Sequence, residues 1–208
     1  VALFWFMVRF GKEDFGLLLL MPFFLPLYTA LWNGQDTLML MAAVGGVILS
    51  MRRGSDYVAG VLLAFCTSKY HLFTLVAVAL LLERRWRVLA SAAGTLGAML
   101  LAASVVEGFD WPFRYIELLR HPGVNSSAAS MPNLATVLRV IGVSEALAPT
   151  LGFVSGGVIG AAVIVRATTW ETRLSVGIVA SLLAAPHLFM QDLVLLLPAF
   201  VLLQSSKD

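Results

Sequence analysis

The sequence predicts an all-α fold: a polytopic transmembrane helical bundle with two broken helix hairpins. Three observations carry that prediction. Of 208 residues, 60% are apolar and only 12% are charged, whereas soluble domains carry about 25% charged residues. Several apolar runs approach the length of about 20 helical residues that a hydrocarbon core requires. Two further runs are too long for one crossing, and each is interrupted near its middle. The mean hydropathy of +0.90 agrees.

Taken in order, residues 15–32 and 36–51 are candidate spans near the short limit, and residues 86–106 and 147–165 match a bilayer better. Residues 58–82 exceed one comfortable span and are broken by Ser68-Lys69-Tyr70-His71; residues 174–203 are broken by Pro186-His187. Charge decides between a tilted crossing and a hairpin. Arg52 and Arg53 precede the first long run, and Arg84, Arg85 and Arg87 follow it. Basic residues beside short loops belong on the cytoplasmic side. A hairpin places both clusters there, together with Arg9, Lys12, Arg166, Arg173 and Lys207. Lys69, Arg114, Arg120 and Arg139 then lie toward the outside. The hairpin arms are short for a full bilayer, so thinning or burial in protein is expected.

The chain opens with VALFWFMV, without a charged n-region or a cleavage site, so it is not a signal peptide. It reads as the tail of a helix. We expect residues 1–208 to form a single transmembrane domain within a longer protein, with residues 107–146 as an outer-face loop. Cys66 has no cysteine partner and is expected as a small core residue.

This topology brings three polar constellations to one end of the bundle. In Trp32-Asn33-Gly34-Gln35-Asp36, Asn-Gly supplies a turn and Asp36 suits a helix cap; Gln35 could equally bind a sugar. In Ser68-Lys69-Tyr70-His71, Lys69 either snorkels to interfacial water or binds a phosphate. An ammonium at that depth costs about 2.5–3.5 kcal/mol without a partner. His71 could add a hydrogen bond or a second positive charge. In Pro186-His187-Leu188-Phe189-Met190-Gln191-Asp192, Pro186 ends an arm, and His187 fills a core or a site position. Asp192 needs a partner, and Lys69 or His71 is the economical one.

The outer loop carries two amphipathic stretches, Asp110 to Arg120 and Met131 to Val140, which read as a cover over the bundle or as an acceptor lid. In the second, Leu134, Val137, Leu138 and Ile141 recur at helical spacing. The sequon Asn125-Ser126-Ser127 carries no weight. Gly152, Gly156 and Gly160 recur every four residues, a small-residue face for close helix packing. We find no phosphate-cradling loop, metal-ligand cluster or nucleophile triad, and no nucleic-acid partner is expected.

The strings WNGQDTLMLM, a lysine-ended arm, ERRWR, MPNL and PHLFMQDLVLLLP follow one another in that order. Together they resemble the C-terminal part of the polytopic glycosyltransferase family 87, within the GT-C superfamily. This chain has Tyr70 where many relatives carry proline after the lysine. The resemblance implies an enzyme of the plasma (inner) membrane, multi-pass with its active face outward. It would move a hexose or pentose from a polyprenyl-phosphate carrier to a glycan or lipid acceptor. It also implies that Lys69, and His71 with it, holds the carrier phosphate, and that Gln35 and His187 line the sugar pocket or assist. Asp36 and Asp192 are expected in capping and pairing. The base would be an acidic residue in an outer loop upstream of Val1, so the fragment alone is expected to be inactive. No cofactor is expected, and the requirement for a divalent cation is open. Two rival classes stand beside this reading: a membrane transporter or flippase, whose sites lie near the midplane, and a non-catalytic membrane remnant.

Overall fold

The computed structural model describes residues 5–6, 9–10, 21–120 and 131–205. These form ten α-helices and no strand among the described residues. In chain order they are α1 (Leu25–Trp32), α2 (Thr37–Arg52), α3 (Asp56–Phe65), α4 (Thr74–Leu82), α5 (Trp86–Glu107), α6 (Trp111–Arg120), α7 (Leu134–Val140), α8 (Ala148–Arg166), α9 (Trp170–Ala184) and α10 (Leu196–Ser205). Two 3-10 segments, Cys66–Leu72 and Met190–Leu195, interrupt the long apolar runs; the first contains the expected break at Lys69, and the second follows the expected break at Pro186-His187, before which α9 stops.

Among the described residues, only α5 and α8 are long and apolar enough to cross a membrane by themselves. The expected span over residues 15–32 is not one helix in its described part. That part holds a 3-10 turn, Met21–Phe23, followed by the eight-residue α1. Proline is the reason, because Pro26 stands in the first turn of α1, where its missing N–H is harmless, and would break a helix running through it. The sequon at residues 125–127 lies outside the described residues.

An ion pair sets the course of the first interrupted run and a hydrogen bond that of the second. Asp56 at the start of α3 and Arg85 just before α5 lie 3.5 Å apart. A continuous crossing would hold them more than about 35 Å apart, so the chain turns back at the 3-10 segment. Glu83 and Arg173 pair at 2.6 Å, and the Arg85 guanidinium lies 6.0 Å from the Trp170 ring centroid. The start of α3, the end of α4 and the starts of α5 and α9 therefore share one charged end. In the second hairpin the Ser175 hydroxyl donates to the Ala199 carbonyl at 2.8 Å, which lays α10 back along α9.

The arms are longer than their α-helical content implies. A 3-10 segment rises about 2.0 Å per residue instead of 1.5 Å. Helix α3 and the first four residues of its 3-10 continuation climb about 23 Å, close to the roughly 24 Å of α2. The stretched conformation carries Lys69 level with the start of α2, which the sequence reading of short arms did not foresee.

Small residues let these elements approach. A Cβ on Gly60 of α3 would overlap the Val88 carbonyl, and one on Gly177 of α9 would stand 3.0 Å from the Leu75 carbonyl. Along α8, Gly152 faces Ala135, Gly156 faces Ala184 and Gly160 faces Ala180, so the four-residue glycine repeat is a packing face. In the main core, formed by the other elements, Met41, Ile48, Leu72, Ile178, Leu182 and Leu188 are fully buried, and Ile164 of α8 packs in a smaller cluster with Leu75, Ala79 and Ala180. Cys66 is buried as well, its thiol 3.8 Å from the Leu62 carbonyl. On α7 Ala135 is buried, while Val137 and Ile141 are exposed. The approach to Gly152 selects the smallest side chain.

Candidate functional site

Each broken element delivers one charged side chain to the end of the bundle away from the Asp56–Arg85 pair. The turn after α1 uses Gly34 in a left-handed conformation (φ +59°) and presents Asp36 and Thr37 at the start of α2. The first 3-10 segment leaves helical geometry at Lys69 (φ −122°, ψ 55°). The second begins at Phe189, whose N–H donates to Asp192 Oδ2 at 3.0 Å. That bond satisfies a donor that the start of a helix would otherwise leave open.

At this junction Lys69 Nζ donates to three oxygens: Thr37 Oγ1 at 2.8 Å, Asp36 Oδ1 at 2.9 Å and Asp192 Oδ1 at 3.0 Å. The Thr37 hydroxyl in turn donates to Asp192 Oδ1 at 2.9 Å. An ammonium has three protons, so Lys69 is saturated. The two carboxylates differ sharply in setting, with Asp192 2% exposed and Asp36 52% exposed. Asp36 was expected to cap α2, yet its side chain makes no cap hydrogen bond there. A full charge within reach is the stronger partner.

His71 stands on the same segment, half-buried, with its ring edge-on to Tyr70 at 5.6 Å and facing the His187 main chain. His187 itself is exposed, and Asp192 and Lys69 lie within electrostatic reach of His71. Gln35 sits beside Asp36, and among the described residues its amide joins none of the Lys69 bonds. Of the candidates, Lys69, Asp36 and Asp192 meet directly, His71 and His187 adjoin them, and Gln35 borders the group.

Three residues that sequence reasoning gave no role hold the breaks open. Thr37 is fully buried and bridges Lys69 to Asp192. Asn133, 2% exposed, donates from Nδ2 to the carbonyls of Ala185 (2.9 Å) and Pro186 (3.3 Å), left free where α9 stops. Its Oδ1 accepts the Thr136 N–H at 2.9 Å and so caps α7. Ser181 accepts the Leu75 N–H at 2.9 Å and satisfies the start of α4 from the other hairpin. The spacing Asn133-x-x-Thr136 was a legible cap signal; the second use of the same amide was not. Within the first break, Thr67 and Ser68 hydroxyls donate to the Ala64 (2.5 Å) and Phe65 (3.2 Å) carbonyls.

An apolar groove of about 920 Å³ runs between α2 and α3, lined by Met39, Ala43, Gly46, Leu62, Phe65 and Met99. Its polar end is formed by Asp36 and Ser68. The family model of glycosyltransferase family 87 matches residues 1–198. The chain belongs to glycosyltransferase family 87. No curated protein and no solved structure matches it. Membership makes the chain a glycosyltransferase by family, and members of family 87 are membrane proteins, consistent with the two spanning-length helices.

Proposed function

We propose that this family 87 chain takes a sugar from a polyprenyl-phosphate carrier and passes it to an acceptor at the outer face of the membrane, with Lys69 as the clamp on the departing phosphate. The observation that carries the reading is the position of Lys69: a largely buried cation at the meeting point of two broken hairpins, beside the polar end of an apolar groove. A lipid-linked donor has that shape, an apolar chain ending in an anion. During transfer the bond between the anomeric carbon and the phosphate oxygen breaks and its electron pair stays on the phosphate. The acceptor oxygen takes the carbon and loses its proton to a base. A fixed cation beside the phosphate stabilises the charge as it develops. His71, across from His187, adds a hydrogen-bond donor for the same oxygens.

Asp36 and Asp192 both face Lys69. We assign them to pairing and leave deprotonation of the acceptor to another carboxylate, in an outer loop. The polytopic, GT-C-like arrangement belongs to the same proposal, with hairpin arms and α2 completing the membrane domain beside α5 and α8. The depth of the site favours a transferase over a transporter. Asp36 and Arg52 bracket α2, so the cluster stands about 24 Å from the basic end, near one face of a core about 30 Å thick and away from its midplane. With the full chain in membranes, Lys69→Ala is expected to abolish radiolabel transfer from a polyprenyl-phosphate sugar. Unchanged turnover would remove Lys69 from the site.

A further inference from the structure

The ammonium of Lys69 has no proton left for a substrate. All three are engaged by Thr37, Asp36 and Asp192. With two carboxylates around one ammonium, the trio also carries a net charge of −1, which repels a phosphate. An anion can reach Lys69 only if one partner leaves, and the three partners are not equally held.

Asp192 is 2% exposed and tied at both oxygens: Oδ1 accepts from Thr37 and Lys69, and Oδ2 accepts the Phe189 N–H. Releasing it would strand a buried carboxylate and open the second 3-10 segment. Thr37 is fully buried and fixed to Asp192. Asp36 is 52% exposed, and Lys69 is its one ion-pair partner among the described residues. It also forms part of the polar end of the apolar groove, where a lipid headgroup would arrive. Solvated and placed at the start of α2, it can exchange Lys69 for water and for the positive end of the helix dipole.

Building on the phosphate-clamp reading, we infer that Asp36 occupies the anion position of Lys69 in the empty site and yields it to the carrier phosphate, while Asp192, through Thr37, stays bound and positions the ammonium. Asp36 is an internal competitor of the substrate, and Asp192 is a positioning residue. The exchange changes the net charge around Lys69 from −1 to the phosphate's own, so the site discriminates against neutral lipids and keeps its cation aimed while empty.

The test is equilibrium binding of polyprenyl monophosphate to the full-length protein in micelles, with uncharged polyprenol as the control for the tail. Asp36→Asn is expected to tighten polyprenyl monophosphate binding by about fivefold, the equivalent of about 1 kcal/mol for an exposed ion pair. It should leave polyprenol binding unchanged. Asp192→Asn is expected to weaken monophosphate binding by about tenfold; Thr37→Val, which keeps the side-chain shape, should shift it in the same direction and serves if Asp192→Asn does not fold. Equal tightening by Asp36→Asn and Asp192→Asn would overturn the division of roles, because bare charge removal predicts it. Weakening by Asp36→Asn would overturn the competitor role. Lys69→Met separates the two levels: no effect on monophosphate binding removes the clamp itself, whereas a loss without tightening in Asp36→Asn removes only the exchange.

Discussion

Removing the Lys69 charge strands a buried carboxylate, and the cost is calculable from the geometry. In Lys69→Met the thioether fills most of the space, but Asp192, 2% exposed, is left with only the Thr37 hydroxyl and the Phe189 N–H as partners. Breaking a buried pair from one side costs about 3–5 kcal/mol. The two surviving hydrogen bonds, together with the 18% exposure of Lys69, bring the expected loss to about 2–3 kcal/mol. Loss of Asp36 as a partner adds little, because it is half-exposed. Adding Asp192→Asn to Lys69→Met removes the stranded charge. The amide oxygen can accept the Phe189 N–H while the amide nitrogen donates to Thr37, so about 1–2 kcal/mol should return. Cys66, the only cysteine of this sequence and buried, gives the assay: thermal unfolding in detergent read by thiol labelling. At about 2–4 °C per kcal/mol, Lys69→Met should melt several degrees lower and the double variant should recover part of that. A double variant no more stable than Lys69→Met, or a Lys69→Met protein as stable as the parent, would refute the stranded-charge account. Neither variant should regain transfer activity.

Two further outcomes bear on the fold and on the site's support. Cysteines replacing Asp56 and Arg85 should be joined by a short bifunctional thiol reagent in membranes, because these side chains meet at 3.5 Å; failure to cross-link would return residues 58–82 to a single crossing. Asn133→Ala leaves the Ala185 and Pro186 carbonyls without their donor and α7 without its cap. A loss of about 2 kcal/mol is expected by the same thiol assay, together with a fall in kcat, and wild-type stability would show that water replaces the amide without loss.

The breaks themselves were legible in the sequence. A lysine with three polar neighbours inside an apolar run, and a proline inside another, interrupt helices for local reasons: the first 3-10 segment contains the lysine, and α9 stops at Ala184, just before the proline. The glycine repeat on α8 was legible too, since a four-residue period is a property of one helix. Pairing was not. Nothing local in Thr37 distinguishes it from an ordinary first-turn threonine, and Asn133 reads fully as a cap. Their second hydrogen bonds go to residues 155 positions away for Thr37 and 52 positions away for Asn133. The role of Asp36 was misread for the same reason: capping is the best local use of an aspartate before a helix, and Lys69, 33 positions on, displaced it.

By itself, then, the sequence determined that this is an apolar helical chain whose runs are interrupted at Lys69 and Pro186, because hydrophobic content and helix breaking act over a few residues. Tertiary structure alone decided that Asp36 and Thr37 join Asp192 around Lys69. The 3-10 rise lifts Lys69 to the level of Asp36, and close packing at Gly177 against Leu75 aligns the hairpins. Together they turn three isolated polar residues into one saturated ion cluster, and that outcome depends on ångström-scale register between segments far apart in the chain.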